Sequence, residues 1–380
     1  MKHIAIAGLG VVGGGVAEIL LKNAALLEKN AGEKIVLKAI YTRTPKKDGP
    51  FAPYFVSDFS AIEQDPEIDL VVETIGGSTV ALDFVSRALK AGKHVVTANK
   101  QLIAEHGLEL FALAKANGVN ILFEASVAGG IPVLNPLTRC LGANEITEVS
   151  GILNGTTNYI LTQMLENGES YADALSNAQR LGYAEADPTA DVEGLDARRK
   201  IVLSADLAFG VNIREEDIPC VGISSITAGD IAKAKDEGLT YKLIARAEKN
   251  GRAVAAFVCP TLFPSSAPEA HTDGTGNLVT LFASRFGKQS FSGAGAGGYP
   301  TGSSVLSDCV DVAAGCRSFY ADSFTPCSVN LSGTQCKWLF RCMGEYFTRE
   351  CSAREAFDAY ESYRKDDPHA LLARYAAEEE

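Results

Sequence analysis

The chain has 380 residues, of which 46% are hydrophobic and 22% charged, and a formal net charge of −12. That length exceeds one typical core and predicts two or three packed domains of ordinary globular composition. The acidic balance excludes a nucleic-acid binder, which needs a basic face for phosphates, and no apolar run approaches the roughly 20 residues that cross a bilayer.

The first residues read as a strand rather than a signal peptide, because glycines cut the apolar run short. The expected location is therefore cytoplasmic, or an organelle matrix. Nine cysteines, an odd number with no C-x-x-C pair, fit reduced thiols. Six fall between Cys309 and Cys351 at spacings that match no zinc pattern.

In chain order, residues 3–7, 34–42, 70–74, 94–97 and 120–123 read as strands, with helical patterns over 13–28, 79–91 and 102–117. This alternation predicts an α/β domain over 1–130, a mostly parallel sheet covered by helices. From 131 the character changes, and 131–292 reads as an α+β substrate-binding and dimerisation domain. Its elements are a strand at 145–153, helices at 156–166, 172–181 and 194–209, an antiparallel pair at 239–247 and 253–259, and a loop at 260–268. A glycine-dense stretch and an apolar helix at 304–314 are expected to return over about 293–317 and complete the first domain. The tail, 318–380, has no evident role; strand spacing marks 336–343 and helical spacing 353–364 and 370–380.

Gly8-Leu9-Gly10-Val11-Val12-Gly13 joins the first strand to the first helix. One glycine permits the turn, the next lets the backbone approach a pyrophosphate, and the third lets helix and strand pack closely. The helix N-terminus supplies donors and partial positive charge. The element is therefore read as a Rossmann-type cofactor site. At the end of the second strand, where a carboxylate would bind the ribose of NAD, stands Tyr41-Thr42-Arg43-Thr44-Pro45-Lys46-Lys47. Arg43 and the lysines suit the 2′-phosphate of NADP, and a solvated basic loop accounts for them equally well.

The segment 182–200 holds five carboxylates and ends in Asp196-Ala197-Arg198-Arg199-Lys200. Asp196 and Lys200, four apart, share a helix face, so by themselves they read equally as a helix salt bridge under a solvated acidic loop. This segment resembles the signature of homoserine dehydrogenases, and four others follow the family's order: 97–100, 124–132, 151–159 and 293–301. The resemblance covers roughly the first 310 residues.

The resemblance implies an NAD(P)-dependent enzyme interconverting L-homoserine and L-aspartate 4-semialdehyde. Lys200 would be the principal acid/base and Lys100 the second amine near the reacting oxygen and the cofactor. Glu185 and Asp191 would hold the substrate ammonium, and Asp196 would orient Lys200 or a bridging water. Ile75, Gly76 and Gly297 would line the cofactor together with the Gly8–Gly13 turn. A monovalent cation such as Na+ would sit on Glu124, Val127, Gly129 and Ile131, although Glu124 reads equally as the cap of the following turn. Homodimers or tetramers are expected, without nucleic acid or membrane.

The chemistry suits these residues. Hydride transfer builds negative charge on a carbonyl oxygen, which needs a positive donor, and two nearby lysines lower each other's proton affinity. Two departures stand out. Pro300-Thr301-Gly302-Ser303-Ser304 replaces the family's Pro-Thr-Ala-Ser-Ala, and that glycine is expected to loosen the helix start. Nothing after Asn330 reproduces the start of the family's regulatory domain, so threonine feedback through such a domain is not expected. Two rivals remain: a semialdehyde dehydrogenase, which needs a thiolate from Cys140, Cys220 or Cys259, and a non-catalytic NAD(P)-binding regulator.

Overall fold

Six β-branched segments in the first part of the chain form one sheet: β1 (Lys2–Ala7), β2 (Ile35–Tyr41), β3 (Phe55–Val56), β4 (Leu70–Glu73), β5 (His94–Thr97) and β6 (Ile121–Leu122). Their order is β3-β2-β1-β4-β5-β6 and every pair is parallel. This is the doubly wound arrangement that brings the ends of β1 and β4 to the switch point. The computed structural model describes residues 1–45, 48–316 and 324–377. It divides into one unit of Met1–Gly142 with Ala294–Phe324 and another of Ala143–Gly293 with Thr325–Glu380.

The first unit continues past residue 130, to Gly142. The cause is polar: the buried Glu124 carboxylate accepts the N–H groups of Val133, Leu134 and Asn135 at 2.6–2.8 Å. Arg139 then pairs with Asp311 at 3.0 Å. The helix expected over 13–28 is two helices, Val11–Lys22 and Ala24–Ala31, parted at Asn23.

The late helix starts earlier than its apolar pattern suggests, at Gly298, and runs to Ala313. Gly302 therefore lies inside the helix rather than ahead of it. The backbones of this helix and of Val11–Lys22 touch: a Cβ on Gly15 would lie 2.2 Å from the Gly298 oxygen, and one on Gly302 would lie 3.0 Å from the Val16 nitrogen. Val305, Leu306, Cys309 and Val312 complete the core built on Ile4, Ile6, Val16, Leu70 and Val96.

The second unit holds β7 (Ile146–Ile152), β8 (Val211–Asn212), β9 (Leu239–Asn250), β10 (Ala253–Pro264), β11 (Gly276–Ala283), β12 (Gly287–Ala294), β13 (Thr325–Pro326), β14 (Gln335–Cys342), β15 (Glu345–Ser352) and β16 (Leu371–Tyr375). Eight of them form one sheet, β12-β11-β7-β9-β10-β16-β14-β15.

Three expectations change here. The loop expected at 260–268 is largely strand, because Thr261, Leu262 and Phe263 are buried and β10 pairs with β9 as far as Pro264. The expected terminal helix is strand β16: its buried Leu371, Leu372, Ala373 and Arg374 insert between β10, in parallel, and β14, antiparallel. The tail of unassigned role is thus part of this sheet, and its Trp338 and Phe357 pack on Phe257. Residues 317–323 and 378–380, the latter the end of the expected helix at 370–380, lie outside the described residues. Among those described, no helix is long and apolar enough to cross a membrane.

The helix crossing in the first unit predicts opposite outcomes at adjacent glycines. Gly15→Ala should lower stability by about 1–3 kcal/mol. Gly14→Ala, where an added Cβ meets nothing within 4 Å, should be neutral or gain up to roughly 1 kcal/mol from helix propensity. Urea unfolding of the two variants checks this.

Candidate active site

In the first unit the three fingerprint glycines do three different things. Gly8 has φ 103° and accepts no side chain, since a Cβ would lie 2.7 Å from the Thr74 oxygen. Its N–H donates to the Tyr41 carbonyl at 2.8 Å, which ties the turn to the end of β2. Gly13 packs helix on strand, with a virtual Cβ 2.1 Å from the Gly8 oxygen. Gly10, by contrast, faces open space. No side chain caps the helix that begins at Val11, and Val11 is exposed. An uncapped helix N-terminus beside an open glycine fits a pyrophosphate. Arg43 is exposed just past β2, while Lys46 and Lys47 lie outside the described residues.

Glu73, which sequence reasoning passed over, organises the neighbouring turns. It is wholly buried at the end of β4; one carboxylate oxygen takes the Ile75 N–H at 2.7 Å and the other the Thr97 hydroxyl. Burial pushes its carboxyl up from the usual range. Thr97 accepts from the Asn99 N–H, and Asn99 donates to the Gly77 carbonyl and caps the helix Lys100–Ala116 through the Leu102 N–H. Ile75, Gly76 and the half-buried Lys100 are thereby fixed at the ends of adjacent strands β4 and β5. The available signal was a lone carboxylate closing an apolar strand.

Gly129 has φ 60° and a virtual Cβ 2.2 Å from the Gly295 oxygen, and the Gly130 N–H donates to Ala294. Gly297 precedes the late helix with φ 116°. Val127 and Ile131 are buried around this turn, which is the one Glu124 braces. Burial raises the Glu124 carboxyl.

In the second unit the reactive candidate is an ammonium held inside the protein. Lys200 is 9% exposed, on the helix Leu195–Phe209. Its Nζ lies 2.8 Å from Asp196 Oδ2 and donates to the Leu153 carbonyl at 2.6 Å. The pair is the i,i+4 salt bridge that the spacing allows, but buried, where it matters far more than on a surface. Asn154 links the elements: its Oδ1 caps the helix Gly155–Asn167 through the Thr157 N–H, and its Nδ2 donates to Asp191 Oδ1 at 2.7 Å and Asp196 Oδ2 at 3.0 Å. Lys200, Asp196 and Asp191 thus form one network, joined by a residue that spacing did not reveal.

Glu185 lies outside that network. It is exposed, in a loop anchored where Thr156 donates to the Tyr183 carbonyl and Gln179 to the Glu185 carbonyl. The cysteines offer little as nucleophiles. Burial pushes the Cys220 and Cys259 thiols each up to about 12, and the Cys220 Sγ donates to the Glu193 carbonyl.

The model of homoserine dehydrogenase matches residues 132–310, and the model of the homoserine dehydrogenase NAD-binding domain matches residues 8–124. The homoserine dehydrogenase of Pseudomonas aeruginosa is 44% identical over 81% of this chain and 71% of its own. That of Neisseria gonorrhoeae is 42% identical over 82% and 72%. The chain belongs to the homoserine dehydrogenase family.

Solved structures agree. A homoserine dehydrogenase from Thiobacillus denitrificans matches 99% of this chain and 98% of its own at TM-score 0.90 and 32% identity. A hyperthermophilic archaeal homoserine dehydrogenase in complex with NADPH matches 84% and 100% at TM-score 0.71 and 26% identity. This member of the family is therefore an oxidoreductase that uses a nicotinamide dinucleotide.

The buried pair in this family member carries a stability prediction. Asp196→Ala leaves an uncompensated ammonium and should cost about 3–5 kcal/mol, whereas Asp196→Ala combined with Lys200→Met should recover most of it. Chemical denaturation of both variants, read as a double-mutant cycle, checks this.

Proposed function

We propose that Lys200 is the acid/base of the reversible reduction of L-aspartate 4-semialdehyde to L-homoserine, with NADP preferred over NAD. The observation that carries this reading is an ammonium buried in the protein and fixed by a carboxylate and a backbone carbonyl. When bound, the dinucleotide supplies a hydride to the aldehyde carbon. As charge grows on the carbonyl oxygen, Lys200 Nζ gives it a proton; in oxidation Nζ takes that proton back. Two of the three N–H directions of Nζ point at Asp196 and Leu153, so one direction is left for the substrate oxygen.

Asp196 orients Lys200, and Asn154 holds Asp191 beside it. Asp191 and Glu185 are assigned to the substrate ammonium, with Glu185 closing from its exposed loop. Lys100 is assigned as the second amine near the reacting oxygen and the cofactor. The dinucleotide is assigned to Gly8, Gly10, Val11, Val12, Gly13, Ile75, Gly76, Lys100 and Gly297, and Arg43 to the 2′-phosphate. The relative bound to NADPH and the lack of a carboxylate at the end of β2 support the NADP preference.

Lys200→Ala should lower turnover by at least about a thousandfold while leaving NADPH affinity within a small factor. Arg43→Glu should weaken NADPH about tenfold or more with little change for NADH. Coupled measurement of semialdehyde-dependent NADPH oxidation and of cofactor binding reads both.

We further assign a monovalent cation such as Na+ to the carbonyls of Val127, Gly129 and Ile131 and the Glu124 carboxylate, an oxygen set suited to a hard ion. Replacing Na+ by a bulky organic cation at constant ionic strength should then lower the melting temperature, and Glu124→Gln should abolish the difference. A homo-oligomer in the cytoplasm completes the reading. It is supported by nine free cysteines and by the exposed edge strands β12 and β15, the latter with Tyr346 and Phe347 at 37% and 39% exposure.

A further inference from the structure

Glu73 brings a charge that none of the roles above uses. It is wholly buried at the last position of β4, in one row with Ala7 of β1 and Thr97 of β5. Its carboxylate reaches past the strand end into the turns that follow. One oxygen takes the Ile75 N–H at 2.7 Å and the other the Thr97 hydroxyl. The Gly76 N–H and the Asn99 side chain also favour its ionised form. Each of these donors is neutral. Fixed neutral dipoles offset the cost of burying a carboxylate without cancelling its charge.

The order of the strands says what that charge meets. The 2′-phosphate is assigned to Arg43 after β2, and the pyrophosphate to the Gly8–Gly13 turn after β1. The next strands along the sheet are β4 and β5, so an extended dinucleotide sets its nicotinamide end over them. The two sites share a boundary: a Cβ on Gly8 would lie 3.0 Å from the Ile75 nitrogen, whose N–H Glu73 holds. When bound, the nicotinamide ring is neutral while it carries the hydride and positive once the hydride has passed to the aldehyde carbon.

We propose that the buried Glu73 carboxylate selects the oxidised form of the dinucleotide and so assists hydride departure during aldehyde reduction. Its attraction is absent for the neutral ring and grows as positive charge develops, so it is stronger in the transition state than before it. In homoserine oxidation the same field holds the oxidised cofactor in the complex. The pyrophosphate is common to both forms, so its repulsion by Glu73 cancels when the two are compared. The inference deepens the cofactor assignment at Ile75 and Gly76 and rests on it.

Calorimetric titration of the enzyme with NADP+ and with NADPH tests this. Glu73→Gln keeps the size of the side chain and an acceptor for the Ile75 N–H but removes the charge. It should weaken NADP+ about fivefold, the scale of two unit charges in a partly screened interior, and leave NADPH within about twofold. Glu73→Asp, which keeps the charge, should hold the wild-type ratio of the two affinities even where both fall. A turn that is merely loosened weakens both forms alike. That outcome in Glu73→Gln, or a ratio lost equally in Glu73→Asp, would overturn the inference and leave the cofactor site standing. Should Glu73→Gln fail to fold, Glu73→Ala, whose cavity admits water to the freed donors, is held to the same ratio. Wild-type enzyme that binds neither dinucleotide would overturn the assignment at Ile75 and Gly76, and this inference with it.

Discussion

The candidate active site in the second unit depends on keeping one charged amine out of water. A buried ammonium is stable only when its charge is matched and its donors are met. Here Asp196 supplies the charge and the Leu153 carbonyl a fixed acceptor. Asn154, just past β7, ties them to their surroundings: it caps the next helix and donates to both Asp191 and Asp196. Strand, helix and acidic loop are thus organised around one nitrogen. The same preorganisation that confers stability is what a proton donor needs, because no reorientation remains to be made when charge develops on substrate.

The first unit solves a different problem, the close approach of backbones. Gly8 and Gly13 remove the side chains that would part turn, strand and helix, and Gly15 and Gly302 do the same where the late helix crosses the first. Buried Glu73 and Glu124 then tie loops down by accepting backbone N–H and, for Glu73, side-chain O–H groups. Their charge is spread over fixed backbone dipoles, so the turns they hold are rigid.

Much of this was legible in the amino-acid sequence. The order of strands in the first unit follows from β-branched runs alternating with helical spacing, and the glycine turn carries its own physical reason. Lys200 and Asp196 were visible as a same-face pair, but spacing alone does not tell a surface salt bridge from a buried one; family resemblance and then burial decide it. What stayed hidden depends on contacts distant in sequence. Asn154 looks like an ordinary helix cap until its amide is seen to bridge residues 37 and 42 positions away. Strand β16 reads as helix because its neighbours in the sheet, not its own pattern, bury both of its faces. Gly302 reads as a weak helix start because the partner it admits, Val16, lies in the first helix.

The claim on which the account stands is that the Lys200 nitrogen meets the substrate oxygen that gains or loses the proton. A crystal structure of the wild-type enzyme with homoserine and oxidised cofactor tests this most directly. The account predicts Nζ within about 3.2 Å of the homoserine hydroxyl, with its bonds to Asp196 and Leu153 intact. A hydroxyl contacted by some other side chain or by solvent, with Nζ turned away from it, would contradict it.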